Sequence, residues 1–359
     1  MGEYSRFISE KRRSVPTPDS LVDPDGRCVF GTFDKEFKDM DLMRAKKPTS
    51  APDFLKGKKL TLWEACEVHL DNGVLLSVVC DMGIFGLNLN VFYDKRTHEV
   101  YQWQTNVSSK EAVIAPNLMN GSVAEVLHKN GYIRYINDFQ IGRSRLYGSH
   151  RNKKGDFIEY DFKLSRISLP SIVSIPFGEN RPLYSQKDLF VPKGYLIING
   201  ERMETTDTST AIIDDHRGYY PRKMHYDWVT TMGRNLNGEK KYFAFNLTRN
   251  QSRNQNDYNE NLIWKEGEIS LLPPVTFKRN RPTREFRGRA TWLVEDSYDM
   301  VKLWFRVKNI FRMEVHAAVV KIEYYIAFGE LEGYLRDENG EKIILDGLMG
   351  MGEDKTMLL

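Results

Sequence analysis

Residues 59–94, KLTLWEACEVHLDNGVLLSVVCDMGIFGLNLNVFYD, decide the fold class. Their β-branched, aromatic and leucine side chains form three runs, which Asp71-Asn72-Gly73 and Met82-Gly83 separate. Short apolar runs bounded by turn residues are typical of neighbouring antiparallel strands. The segment HEVYQWQT (98–105) continues the pattern. We therefore predict a meander of adjacent antiparallel strands.

The turn signal Asn-Gly recurs along the whole body of the chain. Both residues tolerate the positive φ that two-residue hairpin turns require. Few segments keep the 3.6-residue apolar period of a helix. Both halves are therefore predicted to be β, as two consecutive antiparallel barrels or sandwiches. The signal occurs six times, with its asparagines at Asn72, Asn120, Asn130, Asn199, Asn237 and Asn339.

Prolines indicate how the 359 residues divide, a length that suits one large or two medium domains. Residues 1–56 carry five of the 14 prolines and few apolar runs, so we predict an extended N-terminal segment. A proline-bearing crossover runs from Pro170 to Pro192, and proline is disfavoured in central strands. We place a first β domain at 57–205 and a second at 206–359.

Charge and missing motifs argue against several classes of function. The net charge of +3 gives little electrostatic steering toward nucleic acid. We find no apolar run of about 18 residues and no signal-peptide pattern, so we expect no transmembrane segment. The three cysteines are odd in number and suit a reducing cytoplasm. Dinucleotide, P-loop and zinc-protease motifs are missing, so we expect no cofactor and no metal.

The densest polar and aromatic stretch is DDHRGYYPRKMHYDW (214–228). If its end is a strand, His225 and Asp227 share one face, because side chains alternate along a strand. A histidine beside a carboxylate can act as an acid/base unit, with His225 as base or orienting group. The alternative is a polar network that holds a long loop. The remaining candidates here are the carboxylate Asp215 and the substrate contacts Tyr219, Tyr220, Arg222, Tyr226 and Trp228.

A second polar stretch, FNLTRNQSRNQNDYNENLIW, spans 245–264. Asparagine and glutamate beside a strand can bind hydroxyl or carbonyl groups, whereas asparagine in the middle of the stretch is typical of turns. Glu260 is a further candidate acid. We predict that 214–228 and 259–264 meet at one cavity mouth, since loops on a rigid β scaffold commonly carry function. The candidate substrate contacts here are Asn246, Asn259, Asn261 and Trp264.

A third stretch is basic. It suits either an anionic head group or phosphate, or a solvated loop that leads into a strand. The low net charge of the chain argues against a nucleic-acid site here. Its basic residues are Lys278, Arg279, Arg281, Arg284, Arg287 and Arg289.

Four segments resemble a bacterial domain-of-unknown-function family: PLYSQKDLFVPKGYLIINGERM (182–203), IIDDHRGYYPRKMHYDWVT (212–230), FAFNLTRNQ (243–251) and YNENLIW (258–264). That family belongs to a lipocalin-like group with carotenoid hydratase (hydroxyneurosporene synthase), tocopherol cyclase and AttH-like proteins. The resemblance implies two consecutive lipocalin-like β domains with an apolar cavity. It assigns no reaction and no catalytic residue.

Three functions stay open from the sequence. The first is a cofactor-free hydratase, isomerase or cyclase acting on a hydrophobic or unsaturated small molecule in a β-barrel cavity. A carboxylic acid in apolar surroundings, here Asp227, Asp215 or Glu260, would protonate a double bond, and aromatic faces would stabilise the cation. The second is a non-catalytic protein that binds a lipid or another hydrophobic ligand. The third is a glycosidase-like hydrolase with paired carboxylates.

Overall fold

β-strands make up most of the chain. The structure is a computed structural model and describes residues 3–280, 291–317 and 320–358. The all-β prediction is confirmed, because the helical elements of these residues are short 3₁₀ helices. They are Glu10–Arg12, Leu42–Arg44, Asp53–Lys59, Ser109–Glu111 and Phe139–Ile141. None of the helices in the described residues has the length and apolar character needed to cross a membrane.

Two compact domains divide the chain. The first contains Arg13–Arg96 and Tyr101–Tyr220, and the second contains Met1–Arg12, Thr97–Val100 and Pro221–Leu359. The division therefore falls after Tyr220 rather than near 205, because the strand that ends at Tyr219 is an inner strand of the first sheet. The N-terminal segment is divided between the two domains. Its residues up to Arg12 belong to the second domain, and the residues from Arg13 onward belong to the first.

The first domain contains one sheet of 15 strands. Its main path runs β6-β5-β4-β3-β15-β13-β11-β10-β9-β8-β7, while β12 and β14 pair with β13, and β2 pairs with β12 and β1. The strands are β1 (Ser14–Val15), β2 (Gly31–Phe33), β3 (Leu60–Leu70), β4 (Gly73–Asp81), β5 (Gly86–Asp94), β6 (Val100–Val107), β7 (Ala112–Val113), β8 (Ser122–His128), β9 (Gly131–Asp138), β10 (Arg143–Arg151), β11 (Phe157–Arg166), β12 (Ser171–Gly178), β13 (Arg181–Ile198), β14 (Glu201–Glu204) and β15 (Thr210–Tyr219).

One face of this sheet encloses an apolar core, and polar side chains span the interior. The hydroxyl of Tyr160 on β11 is 2.7 Å from Ser77 Oγ and donates to Asn90 Oδ1 at 2.8 Å. Asn137 on β9 donates to Glu64 on β3 at 2.6 Å. Side chains therefore fill the interior of the first domain where these hydrogen bonds lie. Core residues include Cys66, Val68, Phe92, Ile133, Leu146, Phe162, Phe190 and Ile213.

The second domain contains a sheet of 10 strands. Its order is β19-β18-β17-β16-β25-β23-β22-β21-β20, with β24 paired to β23. The strands are β16 (Lys223–Gly233), β17 (Phe243–Arg249), β18 (Leu262–Lys265), β19 (Glu268–Leu271), β20 (Thr276–Arg279), β21 (Thr291–Glu295), β22 (Val301–Ala317), β23 (Val320–Arg336), β24 (Lys342–Ile344) and β25 (Met349–Leu358).

Asn-Gly pairs form several of the turns. Asn120, Asn199 and Asn237 have φ values of 58°, 50° and 51°, and the glycine after each also has positive φ. Asn199-Gly200 is the two-residue connection between β13 and β14. Positive φ at both positions matches the hairpin turns whose twist suits right-handed strands. The Asn-Gly pairs at these three positions therefore adopt the turn conformation that the sequence predicted.

Candidate functional site

Three titratable side chains of the first domain lie within hydrogen-bond distance of one another. The Nε2 atom of His216 is 2.9 Å from Lys187 Nζ and 3.0 Å from Asp214 Oδ1. Lys187 Nζ is 3.3 Å from Asp214 Oδ1. We call these residues the Lys187 cluster. Lys187 is 2% exposed and His216 8%, so charge interactions here are stronger than in water.

The register of three neighbouring strands assembles the Lys187 cluster. Lys187 on β13 lies opposite Asp214 on β15, and His216 on β15 lies opposite Trp63 on β3. Alternation along β15 places Asp214 and His216 on one face and Ile213 on the other, within the apolar core. The cluster therefore lies on the face of the first sheet that points away from the core.

An aromatic stack flanks the Lys187 cluster. The Trp63 ring stacks on the His216 imidazole, with centres 4.6 Å apart, and on the Tyr220 ring, with centres 5.7 Å apart. Phe177 meets Tyr220 edge-on. Aromatic faces bind apolar, planar groups and stabilise positive charge. Tyr220, a substrate contact predicted from the sequence, lies in this stack.

His225 and Asp227 share one face of β16, as alternation predicts, and form a second cluster in the second domain. His225 Nε2 is 3.3 Å from Asp227 Oδ2, and His225 Nδ1 is 3.0 Å from Thr356 Oγ1 on β25. Arg279, from the basic stretch, forms ion pairs with Asp227, where Nη2 is 2.7 Å from Oδ1, and with Asp354. Arg281 to Arg289 lie outside the described residues. We call the group of His225, Asp227, Arg279, Asp354 and Thr356 the His225 cluster.

Electrostatics of the His225 cluster follow from these contacts. The hydrogen bond to Asp227 raises the pKa of His225, because a neighbouring carboxylate favours the charged imidazolium. Burial raises the pKa of Asp354, and the Arg279 guanidinium opposes that shift. Ligand atoms of His225, Asp227 and Asp354 lie within 4.8 Å of one another, a donor set that suits a metal ion. A metal ion at those oxygens would have to displace Arg279, and the expectation of no metal stays a prediction.

Asp215 is not part of the Lys187 cluster, although it lies between two of its members in sequence. It faces the interior of the first domain, where both its oxygens accept from Arg217, at 2.8 and 2.9 Å. Asp215 is fully buried and Arg217 is 3% exposed. The structure therefore gives Asp215 the role of a buried ion-pair partner. Glu260, in the second domain, is buried and accepts from Asn250 at 3.0 Å.

Side-chain amides of the second polar stretch make structural contacts. Asn246 accepts from the Trp228 indole at 2.6 Å and donates to the Glu260 carbonyl at 2.8 Å. Asn259 accepts from Arg12, and Asn261 donates to the Pro273 carbonyl at 2.9 Å. These bonds hold the loop before β18 onto neighbouring backbone. Buried Arg12, whose pKa burial lowers to about 10, also donates to the Asn261 carbonyl.

The other predicted contacts lie in separate places. Tyr219 donates to the Leu42 carbonyl at 3.1 Å, within the first domain. Tyr226 donates to Glu353 at 2.7 Å, Arg222 is exposed, and Trp264 is fully buried. Residues 214–220 belong to the first domain and 221–228 to the second. A common cavity mouth with 259–264 stays a prediction.

Comparison with known proteins gives a family and a fold. The model of a domain of unknown function, DUF2804, matches residues 12–358. The chain belongs to the DUF2804 family. The match covers nearly the whole chain, well beyond the segments at 182–264 that carry the resemblance. No curated protein matches the chain significantly.

Solved structures that are similar to this DUF2804 chain include kievitone hydratase and CghA. Kievitone hydratase from Nectria haematococca has a TM-score of 0.52 and 13% identity, over 83% of this chain and 88% of that one. CghA with Sch210972 has a TM-score of 0.43 and 10% identity, over 99% of this chain and 98% of that one. At such identities the likeness to the hydratase shows a shared fold.

Sequence reasoning missed several residues of both clusters. Asp214 and His216 lie in the densest polar stretch, but Lys187 and Trp63 come from distant strands. Thr356 lies 131 positions from His225 and had no local signal. A weak signal was present for Lys187, since the polar residues SQKD (185–188) lie between the strand-forming pairs Leu183-Tyr184 and Leu189-Phe190.

Sequence reasoning also missed Glu64, a carboxyl group whose protonation is favoured by burial in the interior of the first domain. Burial, with Asp215 nearby, raises the pKa of Glu64 to about 8. Asn137 donates to its Oε1 atom, whereas Oε2 has no hydrogen-bond partner among the described residues. Burial therefore favours the neutral, protonated form of Glu64.

The variant Glu64→Gln should flatten the pH dependence of stability. An unfolded glutamate titrates near 4.5 and folded Glu64 near 8, so the folded state holds the extra proton between those values. The contribution of Glu64 to stability is therefore fully present below the lower pKa and is lost as pH rises through the upper one. Urea unfolding from acidic to alkaline pH measures this. Wild-type and variant curves that run parallel would contradict the assignment.

Proposed function

We propose that this DUF2804 protein is an enzyme that moves protons to and from a hydrophobic or unsaturated small molecule, in a hydration, isomerisation or cyclisation. The observation that carries the proposal is the Lys187 cluster beside the aromatic stack. Lysine, histidine and aspartate are the common side chains of general acid/base catalysis. Their reacting atoms lie within 3.3 Å of one another.

Proton transfer would be centred on His216. Its Nε2 atom contacts both an ammonium donor, Lys187, and a carboxylate acceptor, Asp214. A proton that leaves Nε2 for the substrate can be replaced from Lys187, and one that returns can be shared with Asp214. Because the residues lie on adjacent strands, the sheet fixes these distances before substrate binds.

Apolar binding would come from the aromatic stack. Protonation of an unsaturated carbon leaves a cation, and the faces of Trp63 and Tyr220 can stabilise it. Attack by water gives hydration, loss of a different proton gives isomerisation, and attack by a group of the same molecule gives cyclisation. The fold shared with kievitone hydratase is in keeping with the first of these. The same proposal includes a relation of this protein to the group that contains carotenoid hydratase and tocopherol cyclase.

Cellular context and cofactor use are extensions of the proposal. Cys28, Cys66 and Cys80 are buried and without a disulfide in the described chain, which suits a reducing compartment such as the cytoplasm. Proton transfer by side chains alone needs no nucleotide or metal, so we propose a cofactor-free reaction.

Deuterium exchange tests the proposed activity before the natural substrate is known. The protein is incubated in deuterium oxide with kievitone, with a linear isoprenoid polyene and with an α,β-unsaturated ketone, and mass spectra are recorded. We expect carbon-bound deuterium in at least one probe, with added water if the reaction is hydration, and none in buffer alone. Tight binding without exchange would favour the alternative, a hydrophobic-ligand binding protein. If none of the three probes binds to the protein or takes up deuterium, the result contradicts the proposal for these classes of substrate.

A further inference from the structure

The His225 cluster holds a hydroxyl, an imidazole and a carboxylate in series. Thr356 Oγ1 is 3.0 Å from His225 Nδ1, and His225 Nε2 is 3.3 Å from Asp227 Oδ2. With a proton on Nε2, the ring donates to Asp227 and its Nδ1 atom accepts from the threonine hydroxyl. A nucleophile, a base and a group that orients the base are the parts that activate hydroxyl side chains.

From this geometry we propose that the second domain carries an acyl-transfer site with Thr356 as nucleophile and His225 as base. Asp227 is a positioning residue, because it acts through the imidazole. The substrate class is an ester with a good leaving group, such as an aryl ester. This activity is separate from the proton transfer proposed for the first domain.

Strand register and burial prepare the site. His225 lies directly opposite Thr356 across β16 and β25, and Asp227 lies opposite Asp354. The Asp227 side chain is 3% exposed and bound by Arg279, whereas the His225 side chain is 41% exposed. The orienting carboxylate is therefore fixed in the interior while the base stays accessible to a substrate. Such support is what holds reacting groups in a productive geometry.

The reaction balances without any redox partner. Thr356 Oγ1 bonds to the acyl carbon while its proton passes to His225 Nδ1. The carbon–oxygen bond to the leaving alcohol breaks, and the alcohol takes that proton. Water then gives a proton to His225 while its oxygen bonds to the acyl carbon. The bond from that carbon to Thr356 Oγ1 breaks, the carboxylic acid leaves, and His225 returns the proton to Oγ1 to restore the free hydroxyl.

Acylation should increase with pH until His225 is neutral. The titratable and charged groups near this imidazole include Asp227 on β16, Asp354 on β25 and Arg279 on β20. Neighbouring strands add Arg249 on β17 opposite Asp227, Glu323 on β23 opposite Thr356 and Tyr325 on β23 opposite Asp354. Because the hydrogen bond to Asp227 raises the pKa of His225, the variant Asp227→Asn should move the half-maximal rate to lower pH. A purely structural Asp227 would leave that midpoint unchanged.

The test uses p-nitrophenyl acetate on the full chain, with nitrophenol release and peptide mass spectrometry as readouts. We expect acetyl on Thr356, loss of that adduct in Thr356→Val and its return in Thr356→Ser. His225→Gln should slow acetylation by about 100-fold. Thr276→Val, at an exposed strand threonine of the same sheet, should have no effect. Circular dichroism confirms folding of each variant.

Three outcomes would overturn the proposal. They are acetyl on lysines with none on Thr356, an undiminished rate in His225→Gln, and a folded Thr356→Ser that is not acetylated. Deuterium exchange by the first domain is unaffected by any of these outcomes, so failure here leaves the proposed function intact.

Discussion

The variant His216→Gln is expected to incorporate deuterium into the responsive probe about 100- to 10,000-fold more slowly than the wild-type protein. Glutamine keeps a polar side chain beside Lys187 and Asp214 but cannot take up and release a proton near neutral pH. Binding of the probe should persist, because Trp63 and Tyr220 are unchanged. The measurement is the initial rate of deuterium incorporation by mass spectrometry, with probe affinity from tryptophan fluorescence.

His69 provides a matched control in the same domain. Like His216, it is buried and pairs with a carboxylate two residues away on its own strand, Glu67 at 2.6 Å. It lies outside the Lys187 cluster and its aromatic stack, so His69→Gln should leave the exchange rate within about twofold of wild type, far less than the 100-fold or more expected of a general acid/base. Equal losses in the two variants would show that buried histidines serve folding here.

The variant Arg217→Leu is expected to destabilise the first domain by about 3–5 kcal/mol, the typical cost of breaking a buried pair. Asp215 would remain in the core as a buried carboxylate without its two guanidinium hydrogen bonds. Urea unfolding, followed by hydrogen exchange of amides in the first domain, measures the loss. The result would also show how much the ion pair of Asp215, proposed from the sequence as an acid, contributes to folding.

An exposed pair in the same domain controls for the loss of charge. Arg145 and Asp161 also form a two-bond pair, at 2.9 and 2.6 Å, but their side chains are 44% and 29% exposed. Arg145→Leu should therefore cost about 1 kcal/mol or less. If Arg145→Leu and Arg217→Leu cost the same, burial of the Asp215 pair would not be the source of the effect.

The glycosidase alternative stays a prediction. Asp227 and Asp215 are each ion-paired with an arginine, and they lie in different domains. The binding-protein alternative is compatible with the aromatic stack, and only the exchange experiment separates it from an enzyme. Catalytic residue types at hydrogen-bond distance beside that stack favour the enzyme.

Local patterns in the sequence were enough for the fold class and for part of the second cluster. Strand segments and Asn-Gly turns depend on residues next to one another, and these were predicted from period and turn chemistry. His225 and Asp227 share a face because they are two residues apart on one strand. That relation holds whatever strand lies beside them.

The choice between Asp214 and Asp215 needed the tertiary structure. Alternation puts these neighbours on opposite faces of β15, but both faces are buried, with Ile212 on one and Ile213 on the other. The sequence therefore has no polar face that marks which carboxylate turns toward the core. Strand β15 also explains why the domain boundary lies after Tyr220 and not near 205, because β15 pairs with β3 and β13 of the first sheet.

What the tertiary structure alone decided is which distant residues meet. Lys187 contacts Asp214 because β13 and β15 pair in one register, and Thr356 contacts His225 because β16 pairs with β25. A one-residue shift in either register would turn these side chains to opposite faces. Register between distant strands is set by packing of the whole sheet and not by the residues within each strand. The sequence by itself thus determined the strands, their turns and the His225–Asp227 pair, and the partners that complete both clusters came from the fold.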